Sequence, residues 1–349
     1  MLRYLARLAT TAQAVVLLTL PARSQQHKPV KDISPAIQVE VNVVNIRATV
    51  RDKHGAWINN LTKDDFILTE DRQPQQIKYF ARETDLPLTI GLLVDVSGSQ
   101  YNLIDIERQA AYQFFSQVLR KGDKAFLISF RGNVELLQDF TGSARLLQEA
   151  IERLSWHSAG DLQAGQVVLS TMDRGGTVLY DAIYLAATDR LVHQAGRKVM
   201  VLITDGVDFN SQRTLGDAVK AAQQADTVIY SIRYFDIRAY SDDRFRKYSD
   251  VMDSALRTVS QQTGGRVLYM DKKHPLPQDF DELQQEMRSQ YAIGYIPTNE
   301  KHDGSYRHLD LRTRDHNLKV QARRGYYAMP PENGSGGARP AGGASTRPR

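Results

Sequence analysis

Three short stretches carry oxygen-bearing side chains in arrangements that could do chemistry: Asp95-Val96-Ser97-Gly98-Ser99, Arg174-Gly175-Gly176-Thr177 and Thr204-Asp205-Gly206. Asp95 and Asp205 offer two carboxylates, and Ser97, Ser99 and Thr177 offer three hydroxyls. Phosphoryl transfer from an aspartate at a strand end wants a second carboxylate in an Asp-x-Asp pair, and Ser97 stands in that place. A serine nucleophile on a strand-to-helix elbow wants Gly-x-Ser-x-Gly, and the run around Ser97 lacks the flanking glycines. No well-placed general base accompanies either arrangement, and the histidines, His157 and His193 among them, show no metal-type spacing and read as surface residues. The chain is therefore expected not to be an enzyme, with a metal-dependent hydrolase or phosphotransferase as the alternative. A purely structural use of the first stretch also stands, since Ser97 or Ser99 could simply cap the helix that begins near Ile104.

The elements that must position these side chains are legible in the apolar pattern. Leu88 to Asp95 (LTIGLLVD) and Lys198 to Thr204 (KVMVLIT) are almost unbroken apolar runs, as strands buried on both faces of a parallel sheet are. Between and after them strand and helix patterns alternate, with helices expected at 104–119, 144–154, 178–191, 215–225, 251–262 and 280–290, and strands at 125–130, 134–137, 227–233 and 266–269. Alternation of this kind implies an open, largely parallel sheet with helices on both faces, and such sheets bind ligands at the carboxyl ends of their strands. Asp95 and Asp205 fall at those ends, and the glycine-rich stretch before Thr177 leads into a helix.

On either side the character differs. Residues 37–85 read as β-hairpins, with period-two alternation along Ile46, Ala48 and Val50, a slip at Val43-Val44 that suits a bulge, and a turn over Asp71 to Pro74. Residues 291–328 read as three further strands, 291–296, 306–313 and 318–323. Neither block has enough strands to be stable alone. The two are expected to pair into one small β-sandwich, with the α/β domain of residues 86–290 inserted between them.

Asp95-x-Ser97-x-Ser99, Thr177 and Asp205 together resemble the metal-ion-dependent adhesion site of von Willebrand factor A domains, with Thr177 82 residues and Asp205 110 residues after Asp95. The resemblance spans about Leu86 to Gln290. The phrases LTKDDFILTEDRQPQQIKYF and VQARRGYYA are further similar to the acidobacterial-type VWFA-related exported proteins, which extends it from Val39 to Ala328. It implies a Rossmann-like fold without a dinucleotide fingerprint. It also implies one Mg²⁺, or Mn²⁺ or Ca²⁺ in its place, with Ser97, Ser99 and Thr177 as inner ligands and Asp95 and Asp205 supplying charge. An all-oxygen donor set suits such a hard cation, which usually keeps several waters. With only two carboxylates to neutralise it, the ion would stay electrophilic and attract an Asp or Glu of a partner protein. Gly98 and Gly176 would allow close backbone approach, and Asp208, Asn210 and Ser211 would form a rim for the partner. A scaffold in which the metal is structural is the remaining alternative.

Composition narrows the setting. At 42% hydrophobic and 24% charged residues the chain has the balance of a globular protein. Its net charge of +5 gathers towards the two ends, and no Lys/Arg stripe with interleaved aromatics is present, so nucleic acid is not expected as a partner. The absence of cysteine rules out disulfides, thiolate nucleophiles and sulfur-ligated zinc. Residues 1–24 combine Arg3 and Arg7, an apolar run from Ala12 to Leu20 and a small-x-small end at Ala22 and Ser24, as a secretory signal peptide does. That run is too short to cross a bilayer as a stable span. An exported, periplasmic or extracellular protein is expected, with a flexible leader over 25–36 and a disordered Pro/Gly/Ser-rich tail over 329–349.

Overall fold

The computed structural model describes residues 43–82, 86–97, 104–154, 167–168, 176–233, 243–269 and 276–329. The expected signal peptide, the leader, Gly98, Ser99, Arg174, Gly175 and the tail beyond Met329 lie outside them.

Four strands open the described chain: β1 (Val44–Arg51), β2 (Phe66–Glu70), β3 (Gln73–Gln75) and β4 (Ile77–Arg82). The α/β part follows as β5 (Leu88–Asp95), α1 (Ile104–Val118), β6 (Lys124–Phe130), β7 (Val134–Thr141), α2 (Ala144–Glu152), β8 (Val167–Val168) and α3 (Leu179–Leu185). α3 runs on as a π-helical stretch, Ala186–Leu191, and is followed by β9 (Arg197–Thr204), α4 (Leu215–Gln224), β10 (Thr227–Arg233), α5 (Asp243–Thr263), β11 (Val267–Tyr269) and α6 (Leu276–Arg288). The chain closes with β12 (Tyr291–Tyr295), β13 (Tyr306–Thr313), β14 (Lys319–Ala322) and β15 (Gly325–Tyr327).

The central sheet has the order β11-β10-β9-β5-β6-β7-β8. β11, β10, β9, β5 and β6 are mutually parallel, and β7 and β8 are antiparallel additions at one edge. β7 reverses direction because only three residues separate it from β6 and Arg131 N–H donates to the Asn133 carbonyl across them at 3.0 Å. A parallel crossover needs a dozen residues or more. Side-chain alternation splits the core into two layers. Leu88, Ile90, Leu92 and Val94 of β5 face α1, α2 and α6 through Phe114, Ile151 and Phe280, whereas Leu93 faces α3, α4 and α5 through Ile183, Val219 and Leu256. All eight residues of β5 are buried, which is why its sequence shows no polar alternation.

The flanking strands form two four-stranded sheets, β14-β1-β12-β4 and β15-β13-β2-β3. Their inner faces share a core of Ile46, Ala48, Val50, Phe66, Leu68, Tyr291, Ile293 and Tyr295. The amino- and carboxyl-terminal segments interleave: β1 lies between β12 and β14, and β13 pairs with β2. The fold is thus an α/β Rossmann-like domain inserted into a β-sandwich, as expected. Among the described residues no helix is long and apolar enough to cross a membrane.

Several boundaries differ from expectation for local reasons. The turn after β2 is only Asp71-Arg72, both at positive φ (47° and 68°), and Gln73 to Gln75 form a strand rather than the end of a turn. The conformation suits a two-residue hairpin and is held without glycine because Asp71 exchanges main-chain and side-chain hydrogen bonds with His308 on β13. Helix α5 begins at Asp243, two turns before the apolar periodicity starts at Val251. The short strands β8 and β15 were not expected from the sequence.

Gly91 on β5 tests how closely the strand that carries Asp95 is packed: a Cβ there would sit 2.4 Å from the Phe126 ring of β6. Gly91→Ala is expected to destabilise the fold by about 1–3 kcal/mol, and Phe126→Leu in the same chain to recover part of the loss, both read from urea unfolding midpoints.

Candidate functional site

Each expected site residue within the described chain falls at the carboxyl edge of the parallel strands. Asp95 is the last residue of β5, and Val94 beside it is in register with Ile203 of β9, one residue before Thr204 and two before Asp205. Asp95 is fully buried, with Asp205 (2% exposed), Ser97 (4%) and Thr177 (4%) nearly so. Burial of this order for two aspartates is unusual unless they are well bonded or share a counter-charge.

Local geometry fixes the first loop. Asp95 Oδ1 accepts from the Ser97 N–H at 3.0 Å, and Asp95 Oδ2 accepts from the Thr204 hydroxyl at 2.6 Å. Thr204 Oγ1 in turn accepts from the Gly206 N–H at 3.0 Å, and Asp205 Oδ1 accepts from the Val207 N–H at 3.0 Å. The two strand ends are therefore joined by Thr204, whose place directly before Asp205 is the one sign of this role in the sequence. Gly206, at φ 90°, lies against α5, where a Cβ would meet Leu256 Cδ1 at 2.9 Å and the Met252 carbonyl at 3.1 Å.

Thr177 is held by main-chain pairing with Phe209: its N–H donates to the Phe209 carbonyl at 3.1 Å, and the Phe209 N–H donates to the Thr177 carbonyl at 2.7 Å. The close approach that requires glycine at 176 is made by the same residue, since a Cβ on Gly176 (φ 96°) would sit 2.7 Å from both Phe209 Cδ1 and its carbonyl oxygen. Asp208 and Ser211, expected as rim residues, join this loop to the start of α3. Asp208 Oδ1 accepts from the Tyr180 N–H at 3.1 Å and from the Ser211 hydroxyl at 2.6 Å, while Ser211 Oγ accepts from the Asp181 N–H at 3.3 Å. Asp181, in the first turn of α3, accepts from the N–H groups of Gln212 and Arg213. Asn210 sits on this loop at positive φ, 78°, a conformation Asn tolerates well. Exposed Phe209 (62%) crowns the loop beside Thr177.

The electrostatics follow from the burial. Desolvation first, and the neighbouring charge of Asp205 second, push the Asp95 carboxyl up to about 7, against the hydrogen bonds from Thr204 and Ser97. Among the described residues no group of three or more His, Cys, Asp or Glu side chains gathers that could hold a metal ion. A cation held here would rely on two carboxylates, hydroxyls and water. The residues present, two buried carboxylates with hydroxyl oxygens at the same edge, are hard oxygen donors and fit such an ion. Ser99 lies outside the described residues.

Residues 90–207 match the von Willebrand factor type A domain family, and this is a protein with a von Willebrand factor type A domain. No curated protein matches the chain. Among solved structures, an aerotolerance-related membrane protein from Bacteroides fragilis is 15% identical, with 57% of this chain and 98% of that one covered at a TM-score of 0.42. The conserved hypothetical protein BatB from Bacteroides thetaiotaomicron is 16% identical, covering 58% and 100% at 0.41. The vWF domain of the type V pili tip protein Mfa5 from Porphyromonas gingivalis is 13% identical, covering 57% and 94% at 0.40.

The raised Asp95 value has a direct consequence for the cation-free protein. The folded chain keeps a proton on Asp95 up to about pH 7, whereas an unfolded aspartate releases it near 3.8. The contribution of this group to stability is therefore full below about pH 4 and is lost as pH rises through about 7. In chelator, Asp95→Asn is expected to raise the thermal midpoint by roughly 4 °C at pH 8 and to change it little at pH 5, as read by calorimetry.

Proposed function

We propose that this protein is an exported interaction module that holds one divalent cation, Mg²⁺ in the first instance, at Asp95, Ser97, Ser99, Thr177 and Asp205 and uses it to capture an acidic side chain of a partner protein. The observation that carries this is the meeting of two buried carboxylates, Asp95 and Asp205, at the carboxyl edge of adjacent parallel strands, with Ser97 and Thr177 on loops at the same edge. A buried pair of like charges is costly, and a bound cation converts that cost into affinity. Ser97 and Thr177 offer neutral oxygens, so the two carboxylates balance the ion's formal charge without filling its coordination shell, and an outside Asp or Glu can take a remaining position.

The residues around the site act as its frame. Thr204 orients the Asp95 carboxylate, and the Asp181 and Asp208 hydrogen bonds hold the 205–213 loop against the start of α3 so that Thr177 and Asp205 stay in place. Nothing in this frame supplies a general base beside a nucleophile, which favours binding over turnover. The amino-terminal Arg3, Arg7 and Ala12–Leu20 pattern supports export.

Saturating MgCl₂ is expected to raise the thermal midpoint by about 5 °C at pH 8 and by much less at pH 5, where protons compete for Asp95. The gain disappears in Asp95→Ala and Thr177→Ala. Captured partners from an extract of exported proteins should be lost on adding chelator and with Asp95→Ala, the variant remaining folded by circular dichroism. Partner capture that survives both treatments would reduce the cation to a structural role, and metal-dependent turnover of generic phosphate or ester substrates would replace binding with catalysis.

A further inference from the structure

The opposite end of the α/β domain carries a second feature. There the outer face of the sheet β14-β1-β12-β4 meets the turn between α5 and β11, at the amino ends of the parallel strands. Two cavities of about 650 Å³ and 580 Å³ lie along this junction and share Gln261 and Arg324, so they form one groove. Register places Thr49 and Arg51 of β1 opposite Gln321 and Lys319 of β14, so these four side chains share the sheet's outer face, with Val50 and Val320 turned to the sandwich core. All four residues of β14 line the groove.

The lining is strongly one-signed. Among the described residues Asp52 is its only carboxylate, and that group is committed to its own turn, accepting from the N–H groups of His54 at 2.8 Å and Ala56 at 2.9 Å. Arg51 and Arg266 are already balanced by Glu282 and Glu286 on α6. Lys53, Lys319 and Arg324 are exposed, line the groove and form no ion pair among the described residues. A net positive charge therefore remains after internal pairing is complete, and its field is focused by the low-dielectric walls.

Among the described residues β14 is the last strand of its sheet, paired with β1 alone. Among the described residues, no main-chain group of residues 319–322 bonds to main chain beyond that ladder. An antiparallel edge strand leaves half of its N–H and C=O groups pointing outward, and the residues of this strand line the groove. An extended segment laid along it would place alternate side chains on the face that carries Lys319.

We propose that this groove binds an extended, Asp/Glu-rich segment of a partner protein by strand addition to β14, with Lys53, Lys319 and Arg324 pairing with its carboxylates. The edge supplies affinity that is independent of sequence, and the three cations select acidic side chains over neutral ones. A compact anion would use the charges and leave the edge idle. A flexible polyanion without amides would do the same. The surface is separate from the carboxyl-edge site and uses none of its residues.

The probe is a fluorescein-labelled decapeptide of alternating Glu and Val, titrated with the full chain in EDTA at low salt and followed by polarisation. A Kd on the order of 50 µM is expected, weakening with added salt. Binding should fall at least about tenfold for the Gln/Val counterpart, for the same peptide with alternate amides N-methylated, and for Lys319→Glu/Arg324→Glu. Asp95→Ala should bind as tightly as the unaltered chain, which separates this surface from the cation site. Equal binding of the Gln/Val peptide overturns the charge selection, and equal binding of the N-methylated peptide overturns strand addition. A sulfated polysaccharide that binds more tightly than the peptide would overturn the choice of a protein segment. The two altered peptides test the proposal on unmodified protein, so it does not depend on the double variant folding.

Discussion

Asp95 and Asp205 sit side by side out of water at the ends of neighbouring strands, and much of the α/β domain can be understood as the means of keeping them there. A buried carboxylate next to another pushes the fold to separate them, to protonate one or to find a counter-charge. Separation is prevented by the seven-stranded sheet, whose β5 and β9 are locked in register from Leu88 to Val94. Hydrogen bonds give local relief: the Thr204 hydroxyl and the Ser97 N–H donate to Asp95, and the Val207 N–H donates to Asp205. A site maintained against this tension is hard to explain as packing, because an apolar pair at the same positions would cost nothing.

How much of this could be read in the sequence depended on what each element is buried against. β5 and β9 stood out because sheets covered on both faces demand apolar residues at every position, as Leu88 to Val94 show. The carboxylates stood out in turn because they interrupt those runs at the functional edge. The first two turns of α5, Asp243 to Asp250, did not, since their composition is polar. β8 and β15 are two and three residues long and carry no periodicity to detect. The direction of β7 was implicit in the three residues before it, a matter of turn length that apolar patterning does not report.

The site shows the same division. Asp95, Ser97, Thr177 and Asp205 were recognisable as types at strand and helix boundaries. The supporting roles of Asp181, Asp208 and Thr204 were not, because each depends on a partner about thirty or a hundred residues away that only the fold brings near. The sequence expectation for Gly176 is a close approach of backbone and ion, whereas the close neighbour in the fold is Phe209. Residue type points to chemistry, whereas the duty of holding a loop in place is assigned by tertiary contact.

The interleaving of β1 between β12 and β14 also constrains how the molecule is made. Val44 must find Tyr295 across an intervening domain, a contact of very long sequence separation that is entropically slow to form. A folded α/β insert shortens that search by bringing Leu88 and Arg288 to one end of the sheet, where Asp123 bonds to the Leu88 N–H and pairs with Arg288. The sandwich is a clasp whose two halves are brought together by the ends of the inserted domain. Nascent or damaged chains would be left with unpaired edges, and protease resistance of the outer strands would report the integrity of a domain they merely enclose.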